Sequence, residues 1–426
     1  MSGSPAPTSA PARAPERPGT AAAGSILPRL VPSPYRAMLA VCSDLDETPD
    51  RRVYRDIARF LNTTETTGMG PGVGLEVGNT IYFDMPRSQF AYWNTDDAGR
   101  ALVRALIGSG HVDCLHSYGD LATTRECAAR AIEELTRHNL RLEVWIDHAT
   151  APTNFGADIM RGQGDVPGSP VYHADLTLQH GVRYVWRGRV TSVIGQDVPR
   201  RVAAVFDPRH PAQSLPTVAK ELVKGAAARA GSRKYSMHSA NRVLQHVTLR
   251  DGQPAIEFLR MNPHWAGVSR GETADGIAEV LTDRVLGRLV ASGGISILYT
   301  HLGKVARRDQ PFSAPGRAAW RRLAAYAHRK DILVTTTRRL LGYCDAVQRV
   351  RGVLTTANGV DTLTIAADAA LQPRDLQGLT FAVRDPDRTV VWLGGEPLTS
   401  VQRNPARGAE PPSVSIPWQR LEFPSS

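Results

Sequence analysis

Lysine is almost missing from this sequence. Only five of its 51 basic residues are lysine (Lys220, Lys224, Lys234, Lys304 and Lys330), so a formal net charge of +10 rests on arginine. The basic residues come as scattered pairs, such as Arg51-Arg52, Arg307-Arg308 and Arg338-Arg339, with no interleaved aromatics. A concentrated basic stripe is the footprint of a nucleic-acid binder, and its lack argues against nucleic acid as a partner. Weak attraction for an anionic polymer or a lipid-linked substrate stays compatible with the charge. Cysteine is scarce too. Cys42, Cys114, Cys127 and Cys344 form no CxxC pair, and Cys42 and Cys114 sit in apolar runs that predict buried free thiols. No stretch approaches the roughly 18 apolar residues of a membrane span. Residues 1–32 are rich in Pro, Ala, Ser and Gly with few large apolar side chains, which predicts a disordered tail. They have neither the positive start nor the apolar core of a signal peptide, so the expected location is cytoplasmic.

What is present describes an ordinary globular chain, 42% hydrophobic and 22% charged over 426 residues, room for one large domain and a smaller one. Apolar, strand-forming runs at 36–46, 79–84, 112–116, 142–148, 182–186, 255–261, 295–301 and 332–336 alternate with helical patterns near 51–61, 96–107, 123–138, 171–179, 216–230, 273–290 and 316–329. The Gly-rich stretch 68–78 lacks the flanking context of a phosphate loop and reads as loop. Such alternation predicts parallel βαβ units, and seven or eight of them predict an α/β fold of the deformed (β/α)7-8 barrel type over 33–348. From 349 to 426 short alternating strands between Gly, Pro and Asp turns predict a small C-terminal all-β domain, sandwich-like and packed on the barrel.

Chemistry gathers where apolar strands end. Ala37-Met-Leu-Ala-Val-Cys-Ser-Asp44-Leu-Asp46 closes on two carboxylates, and alternate strand residues face one side. Two acids that close repel, and such a site holds a cation or shares a proton; a plain capping turn through Asp46 or Thr48 is the structural alternative. His116, His148, His264 and His301 also stand at strand ends, which in a βα barrel surround one mouth. His138, His210, His246 and His328 fall in helical or loop positions and read as surface. His116 and Asp120 are four apart, a spacing that one turn of helix brings onto one face; Asp120 serves equally as the cap of the next helix. Asp147, His148, Asn154, Asn262 and His264 are placed to orient a ligand. Trp93, Trp145 and Trp265 are candidates for stacking on sugar, with buried core the expected role of Trp145.

Ser43-Asp44-Leu-Asp46, His116-Ser-Tyr-Gly-Asp120 and Tyr299-Thr-His301 together resemble the motifs of the polysaccharide deacetylase family, T-F-D-D-G, H-S/T-x-x-H and a late L-x-H, in order over about residues 36–345. This chain has Leu45 between the acids, Asp120 in place of the second motif histidine, Tyr299 in place of the leucine, and no R-x-P-Y. The resemblance implies a deformed βα barrel and a divalent metal ion, zinc foremost, held by Asp46, His116 and Asp120. It makes Asp44 the general base and His301 the general acid of a hydrolase that deacetylates an N- or O-acetylated poly- or oligosaccharide. Substrate contacts are expected from His148, Asn154, Trp93 and His264. Asp44-Leu-Asp46-Glu-Thr48 also fits the D-x-D-x-T of haloacid-dehalogenase-type phosphatases, with Asp44 as nucleophile. That class needs a cation near the phosphate, normally lysine, and no lysine precedes Lys220. A catalytically inactive barrel that binds glycan is the third reading.

Overall fold

The computed structural model describes residues 24–44, 47–201, 204–206, 208, 211–264 and 267–424. Asp46 and Trp265 therefore lie outside the described residues, as do His210 and residues 1–23.

The strand Ala37–Ser43 is the axis of the molecule, with all seven residues buried. A strand covered on both sides needs a continuous apolar run, and this one has it. One edge pairs in parallel with Ile295–Thr300 along most of its length. The other edge is shared: Ile332–Thr335 takes Ala37 to Ala40, and Gly78–Ile81 takes Cys42 and Ser43. Parallel pairing continues through Val112–His116, Val144–Ile146, Tyr184–Trp186 and Pro254–Phe258. After Leu259 the chain resumes as the short strand Arg260–Met261, which pairs with both Ile295–Thr300 and Val190–Thr191. The sheet thus curls back toward its first strand in a barrel-like α/β arrangement. An antiparallel strand absent from the sequence expectation, Leu244–Thr248, lines the edge of Pro254–Phe258.

Local sequence explains where the helices begin. Asp50, not Asp46 or Thr48, caps Arg51–Asn62, its carboxylate accepting from the backbone N–H groups of Arg52 and Val53. Thr124, not Asp120, occupies the cap position of Arg125–Arg137. The single helix expected over 273–290 is two, Ile277–Val280 and Asp283–Ser292, because Thr282 accepts from Val285 N–H and starts a new helix.

A helix that the sequence reading passed over, Thr337–Arg349, leads into the C-terminal strands. Arg351–Ala357 and Val360–Ala366 form a hairpin, turned by Asn358 and Gly359, both in the left-handed region. Thr389–Leu393 adds to it in parallel, and a separate small sheet joins Thr380–Ala382, Ser413–Ser415 and Gln402–Asn404. One apolar core runs from Met38, Ile295 and Leu333 into Leu363, Phe381 and Val414, so these sheets share the core of the curled sheet. Within the tail expected to be disordered over residues 1–32, residues 24–32 are structured. Gly24–Ile26 pairs with Arg351–Ala357, and Val31 is buried. Among the described residues, no helix is long and apolar enough to cross a membrane.

Candidate functional site

Asp44 follows its strand directly, and its N–H donates to the carbonyl of Thr300 at 2.8 Å. That bond fixes the carboxylate at the end of the curled sheet, where four other elements deliver polar side chains. Arg260 reaches it from the neighbouring strand, with one N–H on each carboxylate oxygen, at 2.5 and 2.9 Å. The guanidinium is fully buried, lies 4.1 Å over the Trp186 ring and 5.0 Å from the centre of Tyr299, and donates to the Cys42 sulfur at 3.0 Å. Burial alone would raise the Asp44 pKa, but the Arg260 charge, with a smaller contribution from His116, outweighs it and holds the carboxyl well below its usual range. Asp44 is therefore ionised and fixed in orientation.

His116 ends its strand with Nδ1 3.1 Å from the carbonyl of Ile146. A carbonyl only accepts, so Nδ1 carries the proton and Nε2 faces the site, 3.6 Å from Asp44 Oδ2. Tyr82 stacks on the ring at 4.5 Å, and His148 meets it edge-on at 5.0 Å. His301 brings its Nε2 to 4.0 Å from the same Asp44 oxygen, while its Nδ1 lies 3.1 Å from Glu272 Oε2. Glu272 also holds Lys304 at 3.2 Å. Burial would raise the Glu272 pKa, yet His301 and Lys304 bring it below its ordinary value, so the imidazole is backed by a carboxylate anion.

Asp120 does not join His116 on one helical turn. Ser117, Tyr118 and Gly119 all adopt positive φ, so the chain makes a strained bend in place of an α-turn, of the sort that recurs at functional sites. The bend carries Asp120 to His148, where its carboxylate accepts from Nδ1 at 2.8 Å. A carboxylate on Nδ1 orients the other ring nitrogen of a metal-binding histidine and raises its basicity. The two histidines thus have the same design, Nδ1 tied down by Ile146 or Asp120. Asp120, expected as a metal ligand with Asp46 and His116, is hydrogen-bonded to His148 Nδ1. Asp46 of that set lies outside the described residues. Among those described, no group of three His, Cys, Asp or Glu side chains is placed to hold a metal.

The remaining expected contacts divide. His264 is buried, with Nε2 2.7 Å from Glu279, and its backbone N–H donates to Asn262, which itself donates to the Tyr299 carbonyl. Asn154 spends its amide on the loop, accepting from His148 N–H and donating to the carbonyls of His148 and Ala149. Asp147 is likewise structural: Trp145 Nε1–H and the N–H groups of Phe155 and Gly156 converge on it. Trp93 packs on Phe83 and Tyr92 beneath Arg130, and is described in no contact with the Asp44 cluster. Sequence reading missed Arg260 and Glu272. Arg260 had a signal, since an arginine inside the apolar run Ala255 to Met261 must find a buried anion. Glu272 sits in no motif and had none.

Compared with known proteins, the chain matches no family model and no curated protein.

Proposed function

We propose that this chain is a hydrolase acting on a carbohydrate, and that its reaction is removal of an acetyl group from an N- or O-acetylated poly- or oligosaccharide. The observation that carries the proposal is the convergence on one carboxylate oxygen of two imidazole Nε2 atoms from different strands, at 3.6 and 4.0 Å. His116 and His148 would hold a divalent ion, zinc by preference, and such an ion lowers the pKa of a bound water and polarises a carbonyl. Asp44, kept charged and oriented by Arg260, would receive a proton from the attacking water. His301, backed by Glu272, protonates the departing nitrogen or oxygen of the sugar. Water adds to the acetyl carbon, the bond to the sugar breaks, and acetate leaves. Rim groups for the glycan are the side chains of Asp120, 40% exposed, and Glu47, 65% exposed. Phosphoryl transfer through Asp44 has less support, because that class normally places a lysine beside the phosphate and no lysine precedes Lys220.

The test is acetate release, measured beside reducing-end release, with the purified protein on a panel of acetylated glycans. His301→Ala is expected to fold and to lose roughly 10²–10⁴-fold in turnover, with Glu272→Gln losing less in the same direction. Unchanged turnover in His301→Ala would overturn the assignment. Saturable glycan binding with no bond cleaved would favour the inactive binding barrel.

A further inference from the structure

The strands that end at the candidate site begin at a second cavity. Val112 and Glu143 stand at the starts of the strands that His116 and Ile146 close, and the cavity there has a volume of about 250 Å³. Five arginines line it, Arg141, Arg338, Arg339, Arg374 and Arg420, against two carboxylates, Asp113 and Glu143. They come from separate parts of the chain: the start of the Thr337–Arg349 helix, the turn Pro373–Leu376, the loop before Val144, and the C-terminal segment. The arginines outnumber the acids that meet them. Glu143 is shared between Arg338 and Arg374, and Arg338 also pairs with Asp375 at 2.7 Å. Arg339 has Glu76, and Arg420 donates to the carbonyls of Gly74 and Leu75. Among the described residues Arg141 has no carboxylate partner. Burial raises the Asp113 carboxyl to about 6, which removes part of its charge near neutrality.

We infer that this cavity is a binding site for a compact phosphate-bearing small molecule, separate from the candidate active site. Guanidinium forks match phosphate oxygens in pairs, and a cavity whose arginines outnumber their carboxylate partners, with Arg141 and Arg420 paired to none among the described residues, selects a multiply charged anion over a single carboxylate. The space exceeds one phosphate group, so the ligand carries a further small moiety such as a sugar or a second phosphate.

Inorganic phosphate and pyrophosphate serve as probes, titrated calorimetrically into the full chain against chloride at matched ionic strength. Saturable binding is expected, tighter for pyrophosphate. The double variant Arg141→Ala/Arg374→Ala, which removes two exposed side chains, should weaken it at least about tenfold, the effect of losing one charge-assisted bond or more. His301→Ala should bind pyrophosphate as the parent does. Absence of saturable binding, or equal affinity in the arginine variant, overturns the inference. Binding lost in His301→Ala but kept in the arginine variant would assign the anion to the candidate active site.

Discussion

At the scale of single residues, the informative feature is how each imidazole is held by its second nitrogen. His116 uses a carbonyl and His148 uses Asp120, while His301 Nδ1 lies 3.1 Å from the Glu272 carboxylate. Those partners fix the tautomer and the orientation of each ring. The metal reading becomes specific here. His116→Ala and His148→Ala should each abolish stoichiometric zinc in the purified protein, measured by elemental analysis. Asp120→Asn should keep a site with affinity lowered by roughly 10–100-fold. Loss of all metal in Asp120→Asn with none lost in His148→Ala would restore Asp120 as the ligand and remove His148.

Among elements, close approach between strands constrains Gly78. A Cβ placed there would sit 2.4 Å from Asp113 Oδ1. Asp113 cannot swing away freely, because its other oxygen accepts from Arg338 N–H at 2.7 Å and the strand Gly78–Ile81 is held between Ala37–Ser43 and Val112–His116. Gly78→Ala should therefore destabilise by about 1–3 kcal/mol, the usual cost of overpacking, read from urea unfolding. A variant of unchanged midpoint would mean that the two strands separate more readily than their pairing implies.

For the whole molecule, buried titratable groups of opposite tendency set the response to pH. Burial lowers His111, His173 and His238 to about 4 and raises Asp113 and Asp197 to about 6 and Asp147 to about 7. A histidine whose folded pKa is depressed contributes stability that is complete above its unfolded value, 6.5, and lost as pH falls toward about 4. The raised aspartates work the other way, contributing below their ordinary value and losing that contribution as pH rises through about 6 to 7. The totals partly cancel, so the clean measurement is a difference. His173 is fully buried, with Nε2 2.8 Å from the Thr153 carbonyl and Nδ1 2.8 Å from Thr177 Oγ1, a pattern that suits the neutral ring. The stability gap between parent and His173→Gln should narrow by roughly 2 kcal/mol from about pH 7 to about pH 5. A gap independent of pH would show that His173 has the same pKa in the folded and unfolded protein.

Sequence alone determined the alternation of strands and helices, because each buried parallel strand needs an apolar run and each helix an amphipathic one. It also placed Asp44, His116, His148 and His301 at strand ends, and the structure brings them together at one end of the sheet. The N-caps were legible only as a residue class: Asp50 and Thr282 took the role because their neighbours turned helical there. What sequence could not decide was which side chains meet. The spacing of His116 and Asp120 was read through a helical turn that three successive positive-φ residues replace, and the partner of Asp120 lies 28 positions away on another strand. Arg260 meets Asp44 across 216 positions for the same reason. Curling the sheet brings distant strand ends to one mouth and distant strand starts to one cavity, and only the fold sets those distances.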